Sequence, residues 1–364
     1  MLTKDRQNKA NFRYQEIYQY LATHTRKLPR GQKLPSIREL MSKFQVSQST
    51  VDKAINTLKQ EGWIESITGK GSFVSRPLEE KGTLAGQIDL ILFGYEKSYQ
   101  IHSFHREFLE YFSRLLGQEH VGLRTNVIEP ECSRREAIKI IEQLNPQAVV
   151  IWNLYDGEIS NILHDKGIPH ILLTPNWPTI LGNSFYIDNR TIVKLWIEHL
   201  ISLGHTKIAH LHGVCDKWYL RDMYERLYFY YEELGKYNFA ADPDLTVYGG
   251  FTPEEGYQAT RQLFDTGKKF TAIIVNDSIV SGVYRAITER GLVVGKDISV
   301  IGTDDLEWCS HIHPPLTSIR ISRKRIAERI LEKLKRYEEF EREFIPVTLK
   351  VRESTGAVPE ETIK

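Results

Sequence analysis

The sequence predicts two folded parts of unequal size. A short α+β segment of three helices and a β-hairpin comes first, followed by a long α/β body of two doubly wound parallel-sheet lobes. Three observations carry this reading. A chain of 364 residues is long enough for two or three units at about 100–200 residues each. The near-neutral net charge of +1 divides unevenly. Residues 1–78 hold 14 Lys and Arg against six Asp and Glu, a net of +8, and the rest holds 34 against 41, a net of −7. From Ile88 onward, short apolar runs alternate with amphipathic runs of helical period, the pattern of repeated βαβ units.

Composition excludes several classes. With 41% hydrophobic and 26% charged residues the chain reads as globular. Apolar runs such as Ala148 to Trp152 and Ala272 to Val275 are strand-sized, well short of the ~20 residues that cross a bilayer. Met1 to Ala10 is polar and charged, unlike a secretory signal, so a cytoplasmic protein without membrane contact is expected. Cys132, Cys215 and Cys309 are too few and too scattered for a disulfide framework or a zinc cluster, and free thiols in a reducing compartment are expected.

In the basic segment, Tyr14, Ile17 and Leu21 fall on one helical face, and Leu28 to Gly31 forms a turn. A second helix opens at Ser36, with Glu39 three residues on as a capping box, and Ile37, Leu40, Met41 and Phe44 supply its apolar stripe. After the turn Gln45-Val46, Ser47 caps a third helix whose inner stripe is Val51, Ala54, Ile55 and Leu58. Two helices joined by so short a turn form a helix-turn-helix. The exposed start of its second helix carries Gln48, Ser49, Thr50 and Lys53, side chains suited to base edges and phosphates in a major groove. Two β runs, Trp63 to Ile67 and Ser72 to Val74, flank a Thr68-Gly69-Lys70-Gly71 tip and make a wing. The net charge of +8 supplies the cations that phosphate neutralisation needs.

The runs Leu34-Pro35-Ser36-Ile37-Arg38-Glu39-Leu40, Val46 to Ala54 and Gly69 to Val74 resemble the DNA-binding domain of the GntR family. That resemblance implies DNA contacts from Arg38, from Ser47, Gln48, Ser49 and Thr50 at the start of the recognition helix, and from the wing tip Gly69, Lys70 and Gly71. Gln48 and Asp52 stand where the family often carries arginine. An acidic Asp52 is expected to face away from the duplex or to pair with Lys53 or Arg38.

Ser75 to Gly82, with Pro, Gly and charge but no periodicity, reads as a linker. The expected domains are residues 1–75, a linker over 76–84 and a body over 85–358. In the body, strands are expected at Ile88 to Phe93, Val121 to Val127, Ala148 to Trp152, Ile168 to Leu173, Lys207 to His212, Ala272 to Val275 and Ser299 to Gly302, with helices between them. Ligands in such folds bind at the carboxyl ends of strands. The body has no Gly-x-Gly-x-x-Gly after its first strand, no Walker-type phosphate loop and no Gly-x-Ser-x-Gly elbow, so no catalytic residues and no cofactor are assigned. The His210/His212 and His311/His313 pairs have metal-compatible spacing but no completing carboxylate nearby, so no metal is assigned.

The stretches Tyr186 to Asn189, Glu198 to Ala209, Thr271 to Asp277, Asp297 to Asp305, Pro314 to Arg320 and Val351 to Thr355 resemble the LacI/GalR effector domain. Together with the head, the chain is similar to regulators of the arabinose-repressor type. The resemblance implies a periplasmic-binding-protein-like fold, with one lobe at 85–185 plus 304–320 and the other at 186–303 plus 321–358. Carried over by position, effector contacts fall on Phe104, His105, Thr174, Tyr186, Arg226, Phe251, Asn276 and Asp304. Phe229 replaces the glycine that usually follows the arginine at the position of Arg226. Aromatic rings for C–H faces, with guanidinium, amide and carboxylate groups for hydroxyls, suit a monosaccharide. The expected protein is a homodimeric transcriptional repressor of a sugar-utilisation operon that binds operator double-stranded DNA and responds to a neutral sugar. The alternatives are an activator, a regulator answering to a nucleoside or sugar phosphate, an enzyme-derived GntR regulator, and a sugar-transport protein.

Overall fold

The computed structural model describes residues 14–25, 32–60, 63–67, 71–74, 86–93, 103–129, 131–144, 146–154, 157–166, 168–176, 183–214, 221–239, 242–336 and 342–358. Two compact units divide at Gly82/Thr83. Gly69, Lys70, the 76–84 linker and Cys215 lie outside the described residues.

In the first unit, helix α1 spans 14–25, α2 is Ile37–Phe44 and α3 is Gln48–Gln60, followed by strands β1, Ile64–Ile67, and β2, Gly71–Val74. The predicted stripe of α3 is buried, while in α1 Tyr14 and in α2 Ile37, Met41 and Phe44 are half-buried against the core. Ile17, Leu21, Leu40, Val51, Ala54 and Leu58 are fully buried in one core, with Ile64 and Val74 closing it from the hairpin. The capping box forms: Ser36 Oγ accepts from the Glu39 amide at 3.3 Å, and Glu39 Oε2 accepts from the Ser36 amide at 2.6 Å. Gln45 ends α2 in the left-handed region at φ +52°. One feature escapes the sequence pattern. Gln32 to Leu34 lies alongside β2, with the Leu34 amide donating to the Ser72 carbonyl and the Val74 amide to the Gln32 carbonyl, both at 2.9 Å.

The second unit holds two six-stranded sheets. The first is built from β3 (Gly86–Phe93), β4 (Val121–Ile128), β5 (Ala148–Trp152), β6 (His170–Leu173), β7 (Ser184–Ile187) and β13 (Arg342–Ile345), in the order β4-β3-β5-β6-β7-β13, all parallel. The second is built from β8 (Ile208–His212), β9 (Thr246–Tyr248), β10 (Ala272–Ile274), β11 (Ser299–Asp304), β12 (Thr317–Ile321) and β14 (Val347–Lys350), in the order β9-β8-β10-β11-β12-β14, with only β14 antiparallel. Helices connect them: α4 (Ser103–Gln118), α5 (Arg134–Leu144), α6 (Gly157–Asp165), α7 (Asn189–Ser202), α8 (Arg221–Lys236), α9 (Pro253–Asp265), α10 (Val280–Thr288) and α11 (Arg323–Arg336). Among the described residues no helix is long and apolar enough to cross a membrane.

Helices cover both faces at the centre of the first sheet, which is why β5 and β6 read as near-continuous apolar runs, whereas β4 and β13 are mixed and partly exposed. Ile88, Leu90 and Leu92 of β3 join the large core, and Ile91 and Phe93 join a second core with Ala137, Ile141, Ile159 and Leu163 of α5 and α6. The chain passes between sheets three times, after β7, after β12 and after β13.

This topology corrects the expected lobe boundaries. Residues 304–320 belong to the second lobe, because β12 pairs with β11 from Ile301↔Thr317 to Asp304↔Arg320. The first lobe instead takes α11, which packs against α4, and β13, which pairs with β7. Tyr186, expected in the second lobe, sits on β7 of the first sheet.

His210, on β8, shows what burial does to a titrating group. It is 4% exposed, with its ring 5.1 Å from Tyr230 and 5.7 Å from Trp196. Burial, with His212 and Arg226 adding to it, pushes its pKa down from 6.5 to about 3. The unfolded chain therefore binds a proton near pH 6.5 that the fold refuses until about pH 3. Stability is lost as pH falls through that window, by up to about 1.4 kcal/mol per pH unit for one proton. His199, His205 and His212 are shifted the same way by burial. We expect His210→Gln to flatten the acid limb of unfolding free energy between pH 6.5 and 4 by roughly one proton's slope. Parallel urea titrations of both proteins check this, and an unchanged slope would remove His210 from the acid response.

Candidate nucleic-acid interface and ligand cleft

In the head, the helix-turn-helix presents its predicted residues outward. Arg38, Ser47, Gln48, Ser49 and Lys53 are exposed and Thr50 is half-buried. The Ser47 carbonyl accepts from the amides of Thr50 and Val51, opening α3 as expected. Its hydroxyl, however, bonds Ser49 Oγ at 2.9 Å and Thr50 Oγ1 at 3.0 Å, giving a cluster of three hydroxyls at the helix tip. Lys53 Nζ lies 4.8 Å from the centre of the Tyr14 ring, a cation–π contact that steers its ammonium group. Gly71 opens β2 at φ +108°, in the left-handed region where a side chain would be strained. A residue the sequence reading missed is Lys33, whose Cε would lie 3.1 Å from a Cβ at Gly71. Asp52 is half-buried and, among the described residues, pairs with neither Lys53 nor Arg38, contrary to one of the two expectations for it.

In the body, the predicted effector residues sort into four groups, at strand ends, at helix starts and, for Arg226, on the second turn of α8. On the first lobe, Phe104 and His105 open α4 and pack against Trp152 at the end of β5, with ring centres 5.8 and 4.4 Å away. Beside them Thr174 and Asn153 both adopt positive φ, +45° and +56°, and the Thr174 hydroxyl donates to Asn153 Oδ1 at 2.9 Å. On the second lobe, Phe251 is placed by the α9 capping box, its amide donating to Glu255 Oε2 at 2.9 Å. A Cβ at Gly213 would lie 2.9 Å from Phe251 Cζ and 2.8 Å from Met223 Sδ, so only glycine leaves room for both. Met223 Sδ in turn lies 4.0 Å from Asn276 Nδ2.

The charged centre is the third group. Arg226, 4% exposed, donates through Nε to Asn189 Oδ1 at 2.9 Å. Asn189 Nδ2 donates to Asp222 at 2.8 Å and to Glu225 at 2.9 Å. Asp304 ends β11 at φ +111°. Burial raises its pKa, with Glu107 and Asp222 adding to the shift against the opposing pull of Arg226 and Arg323. Burial likewise raises Asp222, opposed mainly by Arg226. Directly behind, Asp277 is fully buried, accepting from Ser318 Oγ, Cys309 Sγ and the Leu306 amide, and burial beside Asp304 raises it too.

The fourth group is Tyr186, 2% exposed, with the Arg221 guanidinium 4.3 Å from its ring centre. The Arg221 amide donates to Asn176 Oδ1 at 3.0 Å, stitching the start of α8 in the second lobe to the strand-end loops of the first. Among the described residues, Phe104 is linked to Asp304 through Arg323. Arg323 lies 5.2 Å from the Phe104 ring centre and donates to the Asp304 carbonyl. Asn153, Asn176, Asn189, Arg221, Asp222, Glu107 and Arg323 were all missed from the sequence. Only Asn189, next to Asp188 in a run already singled out, carried any signal there.

A helix-turn-helix followed by a two-stranded hairpin, joined to two lobes with polar groups gathered at their strand ends, defines a ligand-responsive DNA-binding protein. The comparisons agree. Residues 13–74 match the bacterial regulatory proteins of the gntR family, and residues 197–355 match the periplasmic binding protein-like domain. The chain is 26% identical over 303 residues to the HTH-type transcriptional regulator AscG of Escherichia coli K12, covering 82% of this chain and 85% of that one. It is 33% identical over 246 residues to the HTH-type transcriptional repressor PurR of Haemophilus influenzae, covering 64% and 71%. A dimeric Lac repressor with an 11-residue C-terminal deletion superposes with a TM-score of 0.65 at 24% identity, over 75% of this chain and all of that one, which shows the shared fold. The chain belongs to the LacI/GalR family of transcriptional regulators, and it carries a gntR-type DNA-binding domain in front of its periplasmic-binding-protein-like body.

Proposed function

We propose that this regulator is a cytoplasmic repressor of a sugar-utilisation operon. It binds operator DNA as a homodimer through Arg38, the Ser47 to Thr50 tip, Lys53 and the Gly69-Lys70-Gly71 wing, and it releases that DNA when a neutral monosaccharide enters the cleft of the body. The domains act as residues 1–75 on DNA and 85–358 on the effector. The carrying observation is the make-up of the charged centre. Arg226, Arg221 and Arg323 face Asp222, Glu225, Asp304 and Glu107, so carboxylates outnumber guanidinium groups. Such a set offers hydroxyls both donors and acceptors, and it repels a phosphate ester or a sugar acid. Phe251 and Met223 add an apolar patch that suits the C–H face of a sugar ring. A homodimer fits a helix-turn-helix reading paired half-sites.

The test starts from an operator selected from random duplexes by the full chain. Fluorescence anisotropy then follows its release by aldoses and by their phosphate esters. We expect one neutral aldose to weaken DNA binding and its phosphate ester to have no effect. Release by the ester alone, or by nothing in the panel, would overturn the reading.

A further inference from the structure

Two buried polar atoms at the strand ends of the cleft, the Tyr186 hydroxyl and Arg221 Nη1, have no hydrogen-bond partner among the described residues. Buried polar groups are nearly always satisfied, so each unpaired one calls for an explanation. These two come as a pair, because the Arg221 guanidinium lies against the Tyr186 ring. They also come from opposite lobes, Tyr186 from β7 of the first sheet and Arg221 from the first residue of α8.

Both are held in place by bonds that leave the orphaned atoms free. Arg221 Nε donates to Glu225 Oε1 at 2.6 Å and Nη2 lies 2.5 Å from the same oxygen, which turns Nη1 away from the carboxylate. The Arg221 amide is fixed on Asn176, whose own side-chain amide donates to the carbonyl of Asn153 just past β5. The pair therefore stands at the carboxyl ends of the first-lobe strands, where ligands of such folds bind.

We propose that Arg221 Nη1 and the Tyr186 hydroxyl form one effector subsite, with one donor from each lobe, that takes an uncharged oxygen of a carbohydrate, a hydroxyl or the ring ether. The proposal rests on the carbohydrate reading of the cleft given above. An uncharged oxygen is favoured over an anionic one at this point because Glu225 offsets the charge of Arg221 and Asp222 is bonded to the same Asn189 amide, although a second guanidinium, Arg342, lies 5.5 Å from the Tyr186 ring centre. A ligand oxygen bridging the two donors would tie the lobes together only when it is present, so the subsite belongs to the closing step as well as to recognition.

The minimal test is Tyr186→Phe, which removes one oxygen that makes no internal hydrogen bond. Melting temperature without ligand is measured alongside calorimetric titration with ribose, arabinose, xylose and fucose, and Arg221→Lys is run in parallel. We expect Tyr186→Phe to melt at or slightly above the wild-type temperature, because an unsatisfied buried hydroxyl destabilises the fold. We expect it to bind the wild type's sugar roughly five- to ten-fold more weakly, the worth of one hydrogen bond. Arg221→Lys keeps the charge but loses the fixed fork, and should weaken the same sugar by a similar factor. Equal binding by wild type and Tyr186→Phe overturns the subsite and leaves the carbohydrate reading standing, the two atoms then being met by ordered water alone. A lowered melting temperature with unchanged sugar affinity overturns it as well. Failure of every aldose to bind the wild type overturns the carbohydrate reading, and the subsite with it.

Discussion

Replacing Arg323 with alanine is expected to destabilise the body by about 3–5 kcal/mol, the usual cost of breaking a buried ion pair from one side. Arg323 is 6% exposed and begins α11, where the chain passes from the second sheet back to the first. Its Nε and Nη2 donate to Glu107 Oε2 at 3.0 and 2.5 Å. Nη1 reaches the carbonyls of Ile321, at 2.8 Å, and of Asp304, and Nη2 reaches that of Asp305 at 2.9 Å. Glu107, on α4 of the first lobe, also accepts from the Glu307 amide at 3.2 Å through its other oxygen. The pair thus brackets the turn at Asp304 and Asp305, whose φ values of +111° and +50° are unfavourable for side-chain-bearing residues. Such backbone persists only where its surroundings over-determine it. Glu107→Gln keeps an acceptor oxygen and should cost less, about 1–2 kcal/mol. Urea unfolding of both single variants and the double gives their coupling, expected in the range of about 0.5–3 kcal/mol for residues in one network. A loss below about 1 kcal/mol for Arg323→Ala would reduce the bracket to an ordinary surface-type pair. Effector affinity should fall in the same variant, because the Asp304 carboxyl is carried by the released turn.

The head was largely legible in the sequence because its signals are local. Ser36 and Glu39 are three residues apart, and their capping box forms as drawn. Ile17, Leu21, Leu40, Val51 and Leu58 follow helical spacing, and each is fully buried. The Gln32 to Leu34 segment beside β2 gave no such signal, since it runs straight into Pro35 and has only three residues to show a period. In the body, the alternation of strand and helix was legible and the lobe assignment was not. Thr317 to Ile321 and Arg342 to Ile345 are short runs of mixed polar and apolar residues, the second largely exposed, so nothing in either says which sheet it will join. Hydrogen-bonded register decides it, and register is a long-range property.

The site divides along the same line. Arg226, Phe251, Asn276 and Asp304 stand in recognisable runs, and the structure places them at strand ends and on helix α8. Their supports do not advertise themselves. Glu107 and Arg323 meet across 216 positions, and Arg221 reaches Tyr186 only after the chain has run through α7 and β8. Thr174 carries no mark of its left-handed backbone, since threonine seldom adopts it. Sequence reading finds the groups that would face a ligand more readily than those that hold them there.

Arg226→Ala is expected to remove the effector response and to destabilise the body in a pH-dependent way. The guanidinium opposes the burial cost of two carboxylates, Asp222 and Asp304, and fixes Asn189 through Nε. Without it both carboxyl pKa values rise further above those of the unfolded chain. The fold then holds protons at pH values where the unfolded chain has released them, so stability falls as pH rises toward and through the raised folded values. The deficit against wild type should therefore be small at pH 5 and grow to about 3–5 kcal/mol at pH 8. Arg226→Ala combined with Asp222→Asn should recover part of that loss at pH 8 by removing one uncompensated charge, without restoring the response to sugar. Chemical denaturation at the two pH values, with sugar-dependent DNA release measured on the same proteins, separates the contributions. A deficit equal at pH 5 and pH 8 would mean that Arg226 acts through packing alone. A retained sugar response would move the effector's polar contacts away from the Arg226 and Asp304 centre.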